Sequence, residues 1–173
     1  AGQKGIEAIS ISSFNMQLNE VDSRYVNLKF VLDDKFIFFT NYNSPKASAF
    51  NSYNQIAVLI YWPSINVQSR MKAKIKKTSK EFNQKYFFSR AVEKNALAIS
   101  SKQSKPISSF SQVKENYKNS LADDDLKTCP QYWGGYAFTP FEIEFWEGNE
   151  FRLNKRNLYK KENGKWSHFI LEP

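Results

Sequence analysis

The sequence predicts a mainly β (α+β) fold, a small antiparallel barrel with peripheral helices. Three observations predict it. Arg24 to Leu32 and Val67 to Lys77 alternate with a period of two, which sends successive side chains to opposite faces of a sheet. Strand-like segments occupy both ends of the chain, while helical patterns are confined to the middle. Nine Tyr and fifteen Phe among 173 residues suit pleated, half-buried surfaces. Strands and helices do not alternate, so a doubly wound parallel sheet is excluded. A single domain over residues 1–173 is expected.

In chain order, Ile6 to Ser12 reads as a first strand and Ser13 to Ser23 as a polar, turn-rich stretch. Val26, Leu28, Phe30 and Leu32 then share one strand face. Asp33-Asp34 turns the chain into Phe36-Ile37-Phe38-Phe39, which predicts a hairpin. A helix is expected from Pro45 to Tyr53, because Pro suits a first helical position. Gln55 to Trp62 is a continuous apolar strand that Pro63 ends. Val67 to Lys77 is half-exposed, with basic residues at 70, 72, 74, 76 and 77. Thr78-Ser79-Lys80-Glu81 fits a capping box with Thr78 as the cap. The helix it opens carries Phe82, Tyr86 and Arg90 on one face. Glu93 to Ser101 and Ser109 to Leu121 are further helices, followed by an acidic loop at Asp123-Asp124-Asp125. Pro130 to Tyr136 contains Trp133-Gly134-Gly135, and Phe141 to Trp146 alternates as a strand. Phe151 to Lys160 and Trp166 to Leu171 form a last hairpin, turned by Asn163-Gly164.

Composition narrows the chemistry. The net charge of +8 favours anionic partners such as phosphorylated small molecules. No apolar run reaches the roughly 18 residues of a membrane span, and no leader is visible, so a cytoplasmic protein is expected. One Cys, Cys129, leaves no intrachain disulfide and suggests a reducing compartment. With one Cys and one His, a zinc site of those ligands is not expected, and no metal is assigned. His168 reads as a solvent-facing strand residue. GxGxxG, Walker and HExxH motifs are absent, and the basic strand lacks interleaved aromatics, so no nucleic-acid partner is expected.

The segment Phe145-Trp146-Glu147-Gly148, followed by Arg152-Leu153-Asn154-Lys155-Arg156, carries the most information. If it is extended, residues 152, 154 and 156 point to one side. Two guanidinium groups with Asn154 between them would then wall a site for an anionic, planar ligand. An ordinary basic surface strand is the alternative.

Further polar segments recur at strand ends. They are Arg24-Tyr25-Val26-Asn27-Leu28-Lys29, the stretch from Phe39 and Thr40 through Ser44-Pro45-Lys46, Gln68, and Ser101-Lys102-Gln103-Ser104. Together with Tyr86-Phe87-Phe88-Ser89-Arg90, Trp133-Gly134-Gly135-Tyr136 and Ile143-Glu144-Phe145-Trp146, they resemble the pyridoxamine 5'-phosphate oxidase family. The resemblance runs from about residue 8 to the C-terminal Leu171-Glu172-Pro173, with motif order and spacing kept.

It implies an FMN-binding split β-barrel, homodimeric, with FMN at the subunit interface. It implies oxidation of pyridoxamine or pyridoxine 5'-phosphate to pyridoxal 5'-phosphate, with O2 reoxidising the flavin and yielding peroxide. By the same resemblance, Arg24 and Lys46 hold the FMN phosphate, with the hydroxyls of Thr40 and Ser44 nearby. Tyr25, Lys29 and Phe39 fall in the same cofactor-binding motifs, and Gln68, Gln103, Ser104, Trp146 and Arg156 are further flavin contacts. Lys29, Tyr86 and Arg90 bind the substrate phosphate, and Arg152 lies over the substrate ring. Taken singly, Lys29, Lys46 and Arg90 each read as a solvated surface cation; in register as a set, they read as a site.

The chain departs from the family pattern at several places. Asn154 stands where the family has histidine, and asparagine can hydrogen-bond but cannot titrate. Pro45 replaces a phosphate-binding arginine, Val67 replaces the arginine before Gln68, and Lys94 takes a substrate-phosphate serine position. The family's N-terminal segment is short here, and Ala1 to Gly5 are expected to include residues left from cloning. These departures keep two alternatives open: a related flavin oxidase or reductase with another substrate, and a non-catalytic FMN-binding protein.

Overall fold

The computed structural model describes residues 7–173; the expected strand start at Ile6 and the expected cloning remnant lie outside the described residues. Among the described residues, eight strands are ordered β3-β2-β1-β4-β5-β6-β7-β8, and an additional β3–β6 pairing closes the first six into an antiparallel barrel. They are β1 (Ala8–Asn15), β2 (Glu20–Leu32), β3 (Lys35–Asn41), β4 (Gln55–Trp62), β5 (Val67–Lys77), β6 (Trp133–Glu147), β7 (Lys155–Glu162) and β8 (Lys165–Leu171). The α-helices of the described residues interrupt them: α1 (Pro45–Ser52), α2 (Lys80–Ser89), α3 (Val92–Ser100) and α4 (Phe110–Asp123). Backbone proximity divides the chain into two compact units. The first holds residues up to Phe38, Ala49–Lys76 and Ala137–Pro173; the second holds Phe39–Ser48 and Lys77–Tyr136.

In the first unit, alternation places Ile9 and Ile11 of β1, Ile56, Val58 and Ile60 of β4, and Met71, Ala73 and Ile75 of β5 in the core. Phe36 and Phe38 meet Phe138, at ring-centroid separations of 5.2 and 6.5 Å. The turn after β1 is tighter than the expected polar stretch from Ser13 to Ser23. Asn15 Oδ1 accepts from the N–H groups of Gln17 and Leu18, and Asn19 takes a left-handed φ of 54°. The reversal is therefore complete by Glu20, and Ser13 pairs with Asp22 inside the ladder. The run Gln55–Trp62 reads as uniformly apolar, yet only one face is covered: Leu59 and Tyr61 of β4 are exposed.

The expected strand Phe151–Lys160 is not extended at its start. Residues Glu150–Arg152 form a 3-10 turn, with Phe151 and Arg152 at φ of 54° and 63°. Local hydrogen bonds impose this conformation. Asn149 Oδ1 accepts from Glu150 N at 2.7 Å, and Asn154 N donates to Arg152 O at 2.7 Å. Residues 152, 154 and 156 thus do not share one strand face; β7 begins only at Lys155, opposite Glu147. The final hairpin turns as expected at Asn163 and Gly164, both with positive φ.

In the second unit, Ser79, not Thr78, caps α2: its hydroxyl accepts from Phe82 N at 3.2 Å. Thr78 is diverted because its hydroxyl engages Asn83 Oδ1 at 2.5 Å and Gly135 O at 3.1 Å. The strand predicted from Phe141 begins at Trp133 and is continuous through the two glycines. Gly134 is required there: an added Cβ would collide with Tyr42 Oη and Asn83 Nδ2. Helix α3 starts at Val92 and α4 at Phe110, the latter capped by Ser109.

Candidate active site

In the second unit, α2 and the ends of β3 and β6 build an aromatic stack. The Phe39 ring lies 4.0 Å from Tyr86 and 5.1 Å from Trp133, centroid to centroid, both in stacked geometry. Arg90 caps this stack, with its guanidinium carbon 4.6 Å from the Trp133 centroid. Its Nη1 donates to Asn95 Oδ1 at 3.0 Å and its Nη2 to Lys94 O at 3.3 Å. Asn95 is itself only 1 % exposed. Its amide donates to Phe87 O and Leu126 O, both at 2.8 Å, so it is a fixed post. Burial lowers the Arg90 pKa from its ordinary value and raises that of the Tyr86 phenol.

Beside this post lies a cavity of about 260 Å³, whose lining includes Phe39, Thr40, Arg90, Lys94, Gln103 and Trp133. The polar groups converge there from β3, α3 and the loop after α3. Gln103 Oε1 accepts from Thr40 Oγ1 at 3.0 Å and from Asn41 N at 3.3 Å. A backbone N–H can only donate, so the carboxamide orientation is fixed and Nε2 remains a donor. Lys46 Nζ donates to Thr40 Oγ1 at 3.4 Å. Five of the expected site residues, Phe39, Thr40, Arg90, Lys94 and Gln103, therefore line one cavity, with Tyr86 stacked against it.

Other expected residues sit differently. Ser44 is buried and donates its hydroxyl to Asn41 O at 2.7 Å, so it shapes the turn ahead of α1. Ser104 is exposed, with a φ of 66°.

In the first unit, Arg24 of β2 donates to Ser13 Oγ at 2.7 Å and pairs with Asp22. Tyr25 and Lys29 are exposed on the same strand, and Gln68 is half-buried on β5, opposite Tyr61. Trp146 and Arg156 face each other across the β6–β7 ladder. Arg156 Nε donates to Glu144 Oε1 at 2.8 Å, and Arg70 Nη2 donates to Glu144 Oε2 at 2.5 Å. Burial alone would raise the Glu144 pKa; the hydrogen bonds and charges of Arg156 and Arg70 outweigh it, and the carboxyl is held below its ordinary value. Arg152 is exposed on the turn before β7. Asn154 Oδ1 accepts from Asn149 N at 3.2 Å, so this side chain ties its own loop. His168 is exposed on β8, as expected, and stacks on Tyr159.

Asn95 and the Arg70–Glu144–Arg156 cluster were missed by sequence reasoning. Asn95 gives no signal because it reads as one more polar helix residue. The cluster needs the strand order, and only the alternation that carries Glu144 hinted at it.

Known proteins place this geometry in a family. Residues 133–173 match the family described as the pyridoxine 5'-phosphate oxidase C-terminal dimerisation region. The pyridoxine/pyridoxamine 5'-phosphate oxidase of Leptospira interrogans is 32% identical over 160 residues, covering 88% of this chain and 72% of that protein. That of Alteromonas mediterranea is 38% identical over 158 residues, covering 87% and 72%. The oxidase 1 of Hydrogenovibrio crunogenus is 34% identical over 176 residues, covering 99% and 81%. The fold recurs in PhzG from Burkholderia lata, solved with tetrahydrophenazine-1-carboxylic acid: TM-score 0.90, 23% identity, 97% of this chain and 83% of that one. It recurs also in a pyridoxamine 5'-phosphate oxidase-related, FMN-binding protein from Nostoc punctiforme: TM-score 0.81, 13% identity, 97% and 88% coverage. The chain belongs to the pyridoxine/pyridoxamine 5'-phosphate oxidase family.

Proposed function

We propose that this chain is an FMN-dependent oxidase that converts pyridoxamine or pyridoxine 5'-phosphate to pyridoxal 5'-phosphate, with O2 as acceptor and hydrogen peroxide as co-product. The observation that carries the reading is the second unit's cavity. A guanidinium is locked there by Asn95 and Trp133 beside a lysine, a hydroxyl and an oriented carboxamide. Fixed cations with hydroxyl and amide donors suit a phosphate ester and a planar heterocycle. The donor set fits FMN, the family's cofactor. Bound FMN would accept hydride from the substrate and return the electrons to O2.

The chain's own residues do the remaining work. Arg24 and Lys46, with Thr40, supply positive charge and a hydroxyl to the cofactor phosphate. Gln103 presents an N–H donor, since its oxygen is engaged by Thr40 and Asn41. Gln68, Trp146 and Arg156 complete the flavin contacts. Arg90 and Lys94, with Tyr86 and Lys29, anchor the substrate phosphate, and Arg152 orients the ring. A homodimer in the cytoplasm is part of the reading; the match of residues 133–173 to a dimerisation region supports the dimer.

A related flavin enzyme acting on another substrate is the second reading, favoured by one observation: Asn154 is engaged within its own loop. The two are separated by aerobic turnover. Purified protein with FMN and pyridoxamine 5'-phosphate should release pyridoxal 5'-phosphate and peroxide in equal amounts. Arg152→Ala should retain FMN and lose about a hundredfold in turnover. Unchanged kinetics in that variant would remove Arg152 from the mechanism. No aldehyde from either vitamer, with flavin bound, would move the assignment to another substrate.

A further inference from the structure

Glu144 is a carboxylate only 5% exposed, on β6 between Arg70 of β5 and Arg156 of β7. A buried charge is tolerated only when paired and hydrogen-bonded. Here each carboxylate oxygen takes one guanidinium, at 2.8 Å from Arg156 and 2.5 Å from Arg70. The two arginines are not equivalent. The Arg70 side chain is 54% exposed and that of Arg156 is 24% exposed. Arg156 is also held at a second point, where Nη1 donates to Glu172 O at 2.9 Å. A guanidinium has five N–H groups, and two are used here, so three remain for a ligand. Nearby on β6, Glu142 pairs with Lys72 at 2.9 Å and Lys160 at 3.6 Å. Lysines are point charges on flexible stems, so that pairing fixes no direction. Of these two pairings on β6, the Glu144 cluster is the one that fixes a planar fork, and a preset fork loses less freedom when a ligand binds.

We propose that Glu144 is the positioning residue for Arg156, holding its guanidinium aimed at the flavin, and that Arg70 is the outer clamp on Glu144. The inference rests on the assignment of Arg156 to FMN. Neither Glu144 nor Arg70 touches the reacting atoms in this account; both act through Arg156.

The test is FMN affinity of the apo-protein, read by quenching of flavin fluorescence, in a double-mutant cycle. Arg156→Ala should weaken binding by tenfold or more, roughly the value of one charge-assisted contact. Glu144→Gln should weaken it by about fivefold, and the double variant should be no weaker than Arg156→Ala alone. If Arg156→Ala leaves the affinity unchanged, the flavin assignment of Arg156 fails and takes this inference with it. If Arg156→Ala weakens binding but Glu144→Gln does not, or the two losses multiply, positioning is overturned while the flavin contact stands. Should Glu144→Gln not fold, Arg70→Gln carries the test, since that side chain is half-exposed. It should weaken FMN binding by about twofold to threefold only while Arg156 is present; an equal loss without Arg156 overturns the proposal.

Discussion

Glu144 shows at the scale of one residue how neighbours set a charge. Its carboxyl sits below the ordinary value of 4.5: burial would raise it, and the Arg156 and Arg70 hydrogen bonds overcome that. A depressed folded-state pKa contributes stability that is fully present above the unfolded value and is lost as pH falls through the folded one. Wild type should therefore exceed Glu144→Gln in stability by about 1.5–3 kcal/mol at neutral pH, the range for hydrogen bonds to charged groups. The gap should close below about pH 4.5. Urea denaturation at a series of pH values checks this, and a gap that persists in acid would mean the charge is not what stabilises. The cluster was illegible because Arg70 and Arg156 lie far apart in sequence and meet Glu144 only across adjacent strands. The placement of Arg152 on an extended strand failed for a different reason: side-chain alternation holds only for extended backbone, and a Phe or Arg at positive φ carries no mark in the sequence. Thr40, Arg90 and Gln103, named from the family resemblance, line one cavity.

Elements bounded by strong breakers were read well. Strand β4 ends where Pro63, which has no N–H to give a ladder, was expected to end it, and β5 has the limits expected from its alternation. Strand β6 was read short, since Gly134, Gly135 and Pro140 resemble punctuation. The glycines instead admit Tyr42, Asn83 and Thr78 against the strand. The capping box was displaced by one residue. Ser79 and Thr78 have equal capping chemistry, and the choice is made by Asn83 and Gly135 claiming the Thr78 hydroxyl. Ser79→Ala should cost about 1 kcal/mol by loss of the α2 cap, and a Gly or Asp at 79 should recover most of it. Thermal denaturation of the three variants decides, and a silent Ser79→Ala would return the cap to Thr78. At the end of β6, Gly148 donates to Asn66 O at 3.0 Å, and an added Cβ would strike the Asn66 side chain. Gly148→Ala should cost about 1–3 kcal/mol as an overpacked contact, visible as a lowered urea midpoint with an unchanged slope.

For the whole molecule, the order of strands, helices and strands was enough to predict a barrel, and the β3–β6 pairing closes one. What periodicity could not supply was the cofactor; that came from motifs held in register along nearly the whole chain. The proposed function requires that FMN accept hydride from a phosphorylated B6 vitamer on this protein. The most direct measurement is the anaerobic visible spectrum of the FMN-loaded protein before and after adding pyridoxamine 5'-phosphate. The oxidised flavin band should bleach and return when air is admitted. A flavin band that stays unchanged with the vitamer in excess would contradict the proposed function.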